Sequence, residues 1–240
     1  MRLSEATWTD VSDLDTDLAL LPVGSTEQHG PHAPLGTDAL NAETIAEGGA
    51  DAYDGDVVVA PTIPVGVAEE HRNFAGTLWV SPDTFRAYVR ETIESLASHG
   101  FDRVVVVNGH GGNVEALAEV CRRVSRSGEA YSVAFTWFDA VGEHSSKMGH
   151  GGPLETALLR HTHSELVRED RIEEAQKGAA DRWGEWVAGV NLAHDSDEFA
   201  ENGVVGDPGE GDSALGAELE TRATEALASL IGAVEDRPRV

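Results

Sequence analysis

The 240-residue sequence has little cysteine and lacks any long apolar run. Cys121 is its one cysteine, so no disulfide can form within the chain, and a cytoplasmic location is the default expectation. No apolar stretch approaches the roughly 20 residues that a membrane-spanning helix needs. The acidic N-terminus has no apolar segment of the kind found in secretion signals. These absences predict a protein that is neither secreted nor embedded in a membrane.

Basic residues are also scarce, with 17 lysines and arginines against 43 acidic residues and a net charge of −26. Only Lys147 and Lys177 are lysines. A surface this negative argues against nucleic-acid binding, which needs a basic footprint. Acid-rich, lysine-poor proteins suit molar salt, where the Debye length falls to about 3 Å and self-repulsion is screened. The composition therefore predicts a protein from a halophilic organism.

Apolar runs of strand length alternate with helical patterns along the chain. Four strands are predicted at 17–23, 56–66, 102–113 and 130–139, and helices at 39–50, 81–100, 114–128 and 152–167. Continuous β-branched strands that alternate with helices predict a mainly parallel sheet with helices on both faces. The expected fold class is α/β, a three-layer αβα sandwich, with residues 1–240 as a single domain. The acidic, Gly-rich stretch 193–214 is expected to be a long surface loop.

The loop 24–38, "GSTEQHGPHAPLGTD", follows the first strand and carries Glu27, His29 and Asp38. Carboxylate and imidazole suit Zn, Mn or Fe(II), and a carboxylate can bridge two ions. Any one of these residues alone would more often be a cap or a backbone hydrogen-bond partner. In open parallel sheets, however, ligands bind beyond the carboxyl ends of the strands, where all three residues fall. The set therefore predicts a metal site.

Two further segments supply ligand types near the same sheet edge. "NGHGGN" (108–113) places His110 in a turn of small residues directly after four valines. This turn could cradle a phosphate at a helix N-terminus, but it lacks the P-loop pattern, and the histidine favours a metal. "GHGGPLET" (149–156) places His150 and Glu155 around a helix start, where Glu155 could alternatively complement the helix dipole.

These segments, with "HRNFAGTL" (71–78) and "GVVGDP" (203–208), resemble the creatininase family of metal-dependent amidohydrolases across nearly the whole chain. The resemblance implies a three-layer α/β fold, assembly as a homohexamer and two divalent metal ions per subunit. It also implies that Glu27 and His110 hold the first ion, that His29 holds the second, and that Asp38 bridges both. Two ions that bracket a water would turn it into a hydroxide nucleophile and polarise the substrate carbonyl.

One position departs from the family pattern. Creatininase has a glutamate two positions beyond the histidine of the third-strand turn, and that glutamate completes the second metal site; here the residue is Gly112. Glu155 is the predicted replacement, as metal ligand or as proton shuttle. His150 is the predicted catalytic acid, because a nitrogen leaving group must be protonated. His71, Arg72 and Thr77 are predicted to contact substrate, with a structural hydrogen bond as the alternative for His71.

The expected reaction is hydrolysis of a non-peptide C–N bond in a small amide. A cyclic amide such as creatinine and a formamidopyrimidine nucleotide of riboflavin and deazaflavin biosynthesis both stay open, and Arg72 or Lys147 could meet a phosphate. The alternatives are a peptidase that trims a redox-cofactor precursor and a non-catalytic metal-bound assembly protein. His32 is expected to have a structural role. Trp183 and Trp186 are expected in the core or at a subunit contact, with substrate stacking as the alternative.

Overall fold

The computed structural model describes residues 1–237, and it consists of helices and strands that alternate along most of the chain. The helices are α1 (Trp8–Ser12), α2 (Thr37–Ala52), α3 (Pro82–Ser98), α4 (Val114–Ser127), α5 (Pro153–Thr162), α6 (Ile172–Gly178) and α7 (Ser213–Glu235). The strands are β1 (Leu18–Val23), β2 (Val58–Val59), β3 (Arg103–Asn108), β4 (Tyr131–Thr136), β5 (Trp186–Val187) and β6 (Val190–Asn191). The first four strands form one sheet in the order β2-β1-β3-β4, and each pairing in it is parallel.

Alternating side chains of the central strands supply two separate cores. Leu18 and Leu20 of β1 pack with α2, α5 and α7 on one face. Ala19 and Leu21 of the same strand pack with α3 and α4 on the other. Successive side chains of a strand point to opposite faces, so a strand that is apolar throughout can bury both. The predicted three-layer αβα architecture with a parallel central sheet is confirmed.

Local signals placed several helices correctly. The Ser81 hydroxyl accepts a hydrogen bond from the Thr84 amide and caps α3, as the sequence predicts. Strand β1 and helix α4 lie within a residue of their predicted bounds. The second strand is much shorter than predicted, because Pro61 and Pro64 cannot donate to a sheet ladder.

Two parts of the chain differ from the sequence expectation. Helix α7 was not among the predicted elements, although it supplies much of one core. The stretch 193–214 is irregular, as predicted, but it is not confined to the surface. Ala200, Val204 and Val205 are buried, and Val205 exchanges backbone hydrogen bonds with His150. Burial of these apolar residues draws part of the acidic segment inward.

Residues 1–237 contain no helix that combines the length and the apolar character needed to cross a membrane.

Candidate metal centre

The predicted ligands converge at the carboxyl ends of β1 and β3, which pair directly. Glu27 and His29 lie on the loop after β1, Asp38 is in the first turn of α2, and His110 follows β3. His150 and Glu155 arrive from the start of α5. All six residues are buried, with at most 6% of their surface exposed. The topology thus brings together residues that are far apart in sequence.

Backbone contacts hold the crowded loop in place. The amide of Glu27 donates to the carbonyl of Leu35 at 2.9 Å, and the side-chain amide of Asn113 donates to the carbonyl of Gly24 at 3.0 Å. Gly109 lets the end of β3 approach α2, because a Cβ there would lie 2.1 Å from the carbonyl oxygen of Asp38. His110 and Asp38 are neighbours for this reason.

The first candidate ion position lies among Glu27, Asp38 and His110. His110 Nε2 donates to the carbonyl of Val67 at 2.7 Å, so in the neutral ring Nδ1 carries the lone pair. That lone pair faces Glu27 Oε1 and Asp38 Oδ2, each at 3.1 Å. Both Glu27 oxygens and Asp38 Oδ2 have no hydrogen-bond partner among the described residues. Three buried acceptors that face one another require a cation, and this donor set suits a divalent metal ion.

A second candidate position lies on the other side of Asp38. His29 Nδ1 donates to the carbonyl of Glu27 at 3.1 Å, which leaves the Nε2 lone pair facing inward. It lies 3.1 Å from Asp38 Oδ1 and 3.7 Å from Glu155 Oε1. The two oxygens of Asp38 therefore face different histidines, which is the arrangement that a bridging carboxylate needs. Glu155 lies where a ligand for this second position is required, and its other oxygen accepts from the Gly151 amide at 2.6 Å.

His71 and His150 stack on each other beside these positions. Their ring centroids are 4.2 Å apart, and His150 also lies 4.3 Å from His29. His71 Nε2 is 3.5 Å and His150 Nδ1 is 3.7 Å from Glu27 Oε1. Both rings line the cavity described below. Imidazole nitrogens therefore border the site on the side that substrate would approach.

Burial and mutual charge shift the pKa values of these groups. Burial raises the pKa of Glu27 to about 7, although His110 opposes the shift. Burial alone would lower the pKa of His29 and His110, but their carboxylate neighbours raise both well above the usual range. Protons thus neutralise the carboxylates when no metal ion is bound, and metal binding must displace them. Burial, together with neighbouring histidines, lowers the pKa of His71 to about 3 and that of His150 well below normal, so both rings are neutral.

Gly112, the position that departs from the family pattern, has no room for a side chain. A Cβ there would lie 2.3 Å from the carbonyl oxygen of Val67 and 2.5 Å from His110 Nε2. It would also lie 2.9 Å from Glu70 Oε1. The hydrogen bond between His110 and the Val67 carbonyl therefore fills the space that the side chain of a glutamate at position 112 would need.

A cavity of about 720 Å³ leads to the candidate metal centre. His71, His110, His150 and Glu155 form part of its wall. Its other charged lining residues are Glu70, Lys147, Asp181, Arg182, Asp207 and Glu210. Trp183 also lines the cavity, and its ring makes edge-to-face contacts with His71 and His150, at centroid distances of 5.6 Å and 5.9 Å. The core position expected for Trp183 is wrong, and its place fits the alternative of substrate stacking.

Two of the predicted substrate residues do not line this cavity. Arg72 is half exposed and pairs with Asp195 at 2.6 Å, so its guanidinium is held away from the site. Thr77 is buried. Its hydroxyl accepts a hydrogen bond from the backbone amide of Gln28 at 3.2 Å, and this contact orients the ligand loop. Gln28 itself was not singled out in the sequence. Its only signal there is its position between Glu27 and His29.

His32 and Trp186 also lie outside the candidate ion positions. His32 Nε2 bonds to the Thr156 hydroxyl at 2.9 Å and ties the ligand loop to α5, in line with the expected structural role. Trp186 is 48% exposed on β5, so it is not a core residue of this chain. An exposed position is compatible with the expected subunit contact, which stays a prediction.

Comparison with known proteins gives consistent matches. A family model described as creatininase, creatinine amidohydrolase, matches residues 4–231. The mycofactocin precursor peptide peptidase of Mycobacterium ulcerans is 38% identical over 160 residues, 64% of this chain and 61% of that protein. The creatinine amidohydrolase of Pseudomonas putida is 27% identical over 176 residues, 64% of this chain and 67% of that protein. The match therefore spans less than two thirds of the peptidase's length.

The fold has solved counterparts as well. A Bacteroides fragilis protein provisionally described as a creatinine amidohydrolase superimposes with a TM-score of 0.84 at 25% identity. The superposition covers 100% of this chain and 98% of the other.

Proposed function

The chain belongs to the creatininase family of amidohydrolases, and from this premise we propose that it hydrolyses a non-peptide C–N bond of a small amide at a binuclear metal centre. The observation that carries the proposal is the position of Asp38 between two histidine nitrogens, His29 Nε2 and His110 Nδ1, with one carboxylate oxygen 3.1 Å from each. Two ion positions that share a carboxylate, beside a cavity, form a site for metal-assisted hydrolysis. A non-catalytic assembly protein would not need a cavity at its metal centre.

We assign the ligands by the lone pairs that face each position. Glu27 and His110 would hold the first ion, His29 and Glu155 the second, and Asp38 both. Zn, Mn and Fe(II) all suit this donor set. When bound, the ions supply Lewis acidity toward the amide carbonyl and lower the pKa of water.

The other residues move protons and shape the cavity. Hydrolysis joins the water oxygen to the carbonyl carbon, breaks the C–N bond and returns a proton to the leaving nitrogen. His150 presents the lone pair of Nδ1 to the site, because its Nε2 donates to the carbonyl of Gln28 at 2.6 Å. It is therefore placed to accept the proton of water and then to act as the predicted acid toward the nitrogen.

The cavity favours a small substrate with an aromatic or planar part. Trp183 lies in edge-to-face contact with His71 and His150, and Phe138 lines the cavity as well. Lys147 and Arg182 are the basic residues of the lining, and they replace Arg72 as the groups that would meet a substrate phosphate. Creatinine-type cyclic amides and the formamidopyrimidine nucleotide both fit this chemistry.

A second candidate is a metal-dependent peptidase of a redox-cofactor precursor. The Mycobacterium ulcerans relative at 38% identity favours it. A cavity of about 720 Å³ also has room for the end of a peptide chain. The same ligands and the same histidines would serve a peptide C–N bond, so the two candidates differ in substrate and not in the metal centre.

Substrate assays separate these candidates. The chain is stripped of metal, reloaded in turn with Zn, Mn and Fe(II), and offered the formamidopyrimidine nucleotide, creatinine and a short precursor peptide. Formate release supports the deformylase, creatine formation the cyclic amidase, and loss of a C-terminal dipeptide the peptidase. The Asp38→Ala variant is the control, and we expect it to lose every activity. An active Asp38→Ala protein would refute the binuclear scheme.

Three further properties are proposed with this function. We expect a homohexamer, cytoplasmic location and a halophilic source, from the family resemblance and the composition. Light scattering at rising KCl concentrations tests the assembly, and a monomer at every concentration would contradict it.

A further inference from the structure

Gln28 contacts both of the stacked histidines beside the metal centre. Its backbone carbonyl accepts from His150 Nε2 at 2.6 Å. Its side-chain nitrogen, Nε2, lies 2.9 Å from His71 Nδ1. Gln28 is buried, and its side chain does not face the carboxylates that would hold metal. One residue therefore touches the outward edges of two rings whose inward edges face Glu27.

Two backbone contacts determine which end of the Gln28 amide is nitrogen. The Gly30 amide donates to Gln28 Oε1 at 2.9 Å, and Gln28 Nε2 donates to the Gly203 carbonyl at 3.1 Å. If the amide were flipped, an NH₂ would face an N–H and a carbonyl would face a carbonyl. The nitrogen end therefore points at His71, and it can only donate.

The ring of His71 must accept at Nδ1 for this reason. Its neutral form then carries its hydrogen on Nε2, the atom that lies 3.5 Å from Glu27 Oε1. Ser196 Oγ is also 2.9 Å from His71 Nδ1, and it can donate to the Glu70 carbonyl at 3.1 Å. A hydroxyl rotates and suits either state of the ring, so Ser196 does not choose the tautomer.

His150 has the same tautomer as His71 but turns the other nitrogen, Nδ1, toward the site. A backbone carbonyl only accepts, so His150 Nε2 carries the hydrogen and points away from the site. Its Nδ1 lone pair faces inward, 3.7 Å from Glu27 Oε1. Both rings have the same tautomer, but they turn opposite edges to the cavity.

We propose that Gln28 is a positioning residue that makes His71 a hydrogen-bond donor and His150 a proton acceptor at the same cavity wall. His71 Nε2–H then cannot be a metal ligand, which leaves two ion positions and excludes a third among Glu27, His71 and His150. The assignment of these edges stands on hydrogen bonds alone. Its catalytic consequence rests on the proposed function: His71 donates to the substrate or to Glu27, while His150 carries the proton.

The tautomer can be read directly by NMR on zinc-loaded protein with ¹⁵N-labelled histidine rings. Signals of His71 are identified by their loss in a His71→Asn variant. In the parent protein we expect a protonated Nε2 and an unprotonated Nδ1 for His71. In Gln28→Glu a carboxylate replaces the donor, so we expect the His71 proton to move to Nδ1. Ser95→Glu is the charge control, because Ser95 is exposed on α3 and lines no part of the cavity.

Each outcome decides the proposal. A parent His71 with its proton on Nδ1 overturns it, and this test does not need the variant to fold. An unchanged tautomer in folded Gln28→Glu overturns it as well. Ser196→Ala should leave the His71 tautomer unchanged, and a switch there would assign the role to Ser196 instead. If a substrate is found, Gln28→Glu should lower kcat at least tenfold with little change in KM, whereas Ser95→Glu should change neither. Absence of any activity would refute the proposed function without altering the ring signals.

Discussion

Replacement of Asp38 by asparagine tests whether one carboxylate serves two ion positions. The variant keeps the shape of the side chain but removes its charge, and its NH₂ group can only donate. Asp38 Oδ1 faces His29 Nε2 and Oδ2 faces His110 Nδ1, each at 3.1 Å. Either orientation of the new amide turns its NH₂ group toward one ion position, and the other position loses the negative charge. We therefore expect metal affinity to fall at both positions together.

The magnitude follows from linkage between metal binding and folding. An ion at 100 times its Kd stabilises the folded state by about 2.7 kcal/mol, so two filled positions contribute about 5 kcal/mol. For a chain of this size, about 1 kcal/mol corresponds to roughly 2–4 °C in Tm. Zinc should therefore raise the Tm of the parent protein by roughly 10–20 °C. In Asp38→Asn we expect less than half of that rise.

The assay is thermal unfolding of chelator-treated protein with added zinc, together with metal content by mass spectrometry. The control is Glu218→Gln, because Glu218 belongs to an exposed group with Glu143 and His144 that could also attract an ion. This control should keep the zinc-dependent shift and two ions per chain. Two bound ions and a full shift in Asp38→Asn would refute the assignment of Asp38 as the shared ligand.

Three other predictions concern glycine, pH and salt. Gly112→Ala should displace His110, lower the zinc-dependent Tm shift and destabilise the protein by about 1–3 kcal/mol. Gly111→Ala, whose Cβ meets no atom within 4 Å, should leave the Tm unchanged both with and without zinc. Burial lowers the folded-state pKa of His32 from 6.5 to about 4. Between these pH values the unfolded chain binds more protons than the folded chain. The free energy of unfolding therefore falls as the pH drops through this window, by up to about 3 kcal/mol. Urea unfolding of His32→Gln across this range should show a shallower loss, and an identical slope would contradict the assignment. Raising KCl from 0.1 to 1 M shortens the Debye length from about 10 to about 3 Å. Repulsion among the excess acidic residues, which give a net charge of −26, should then weaken, and the urea concentration at the unfolding midpoint should rise. A lower midpoint would count against halophilic adaptation.

Much of the fold could be predicted because its signals are local. Four consecutive valines of β3 predict a strand that is buried on both faces, and Ser81 with Pro82 marks the start of α3. Helix α7 was missed even though its pattern is also local: Asp212 caps it and its apolar residues recur at helical spacing. The length of β2 depends on which backbone groups find partners, and that information lies in the tertiary structure.

The ligands of the site could be predicted for a different reason. Glu27, His29 and Asp38 lie in one short loop, so their convergence needs no knowledge of distant contacts. The structure also brings Glu155 to His29, as expected from the vacancy at Gly112. Arg72 and Thr77 lie close to His71 in sequence but do not line the cavity, because Arg72 pairs with Asp195 and Thr77 accepts from the backbone amide of Gln28.

The contacts of Gln28 show what sequence reasoning could not supply. Its partner Gly203 is 175 positions away, on a segment whose composition predicts a surface loop. Which nitrogen of a histidine donates depends on such distant backbone groups, so it cannot be predicted from the spacing of residues in the sequence. Trp183 gives the same lesson, since only the folded chain places its ring against His71 and His150.

The position of the ligands along the chain has a consequence for how the protein is made. Glu27, Asp38 and His110 are all synthesised within the first 110 residues, on segments joined by the direct pairing of β1 and β3. The second group waits for Glu155, at the start of α5. On the ribosome, where chains fold from the N-terminal end, the three residues of the first candidate position are synthesised while more than half of the 240 residues are still untranslated. We therefore expect the first candidate position to become available to an ion before the second, which needs Glu155.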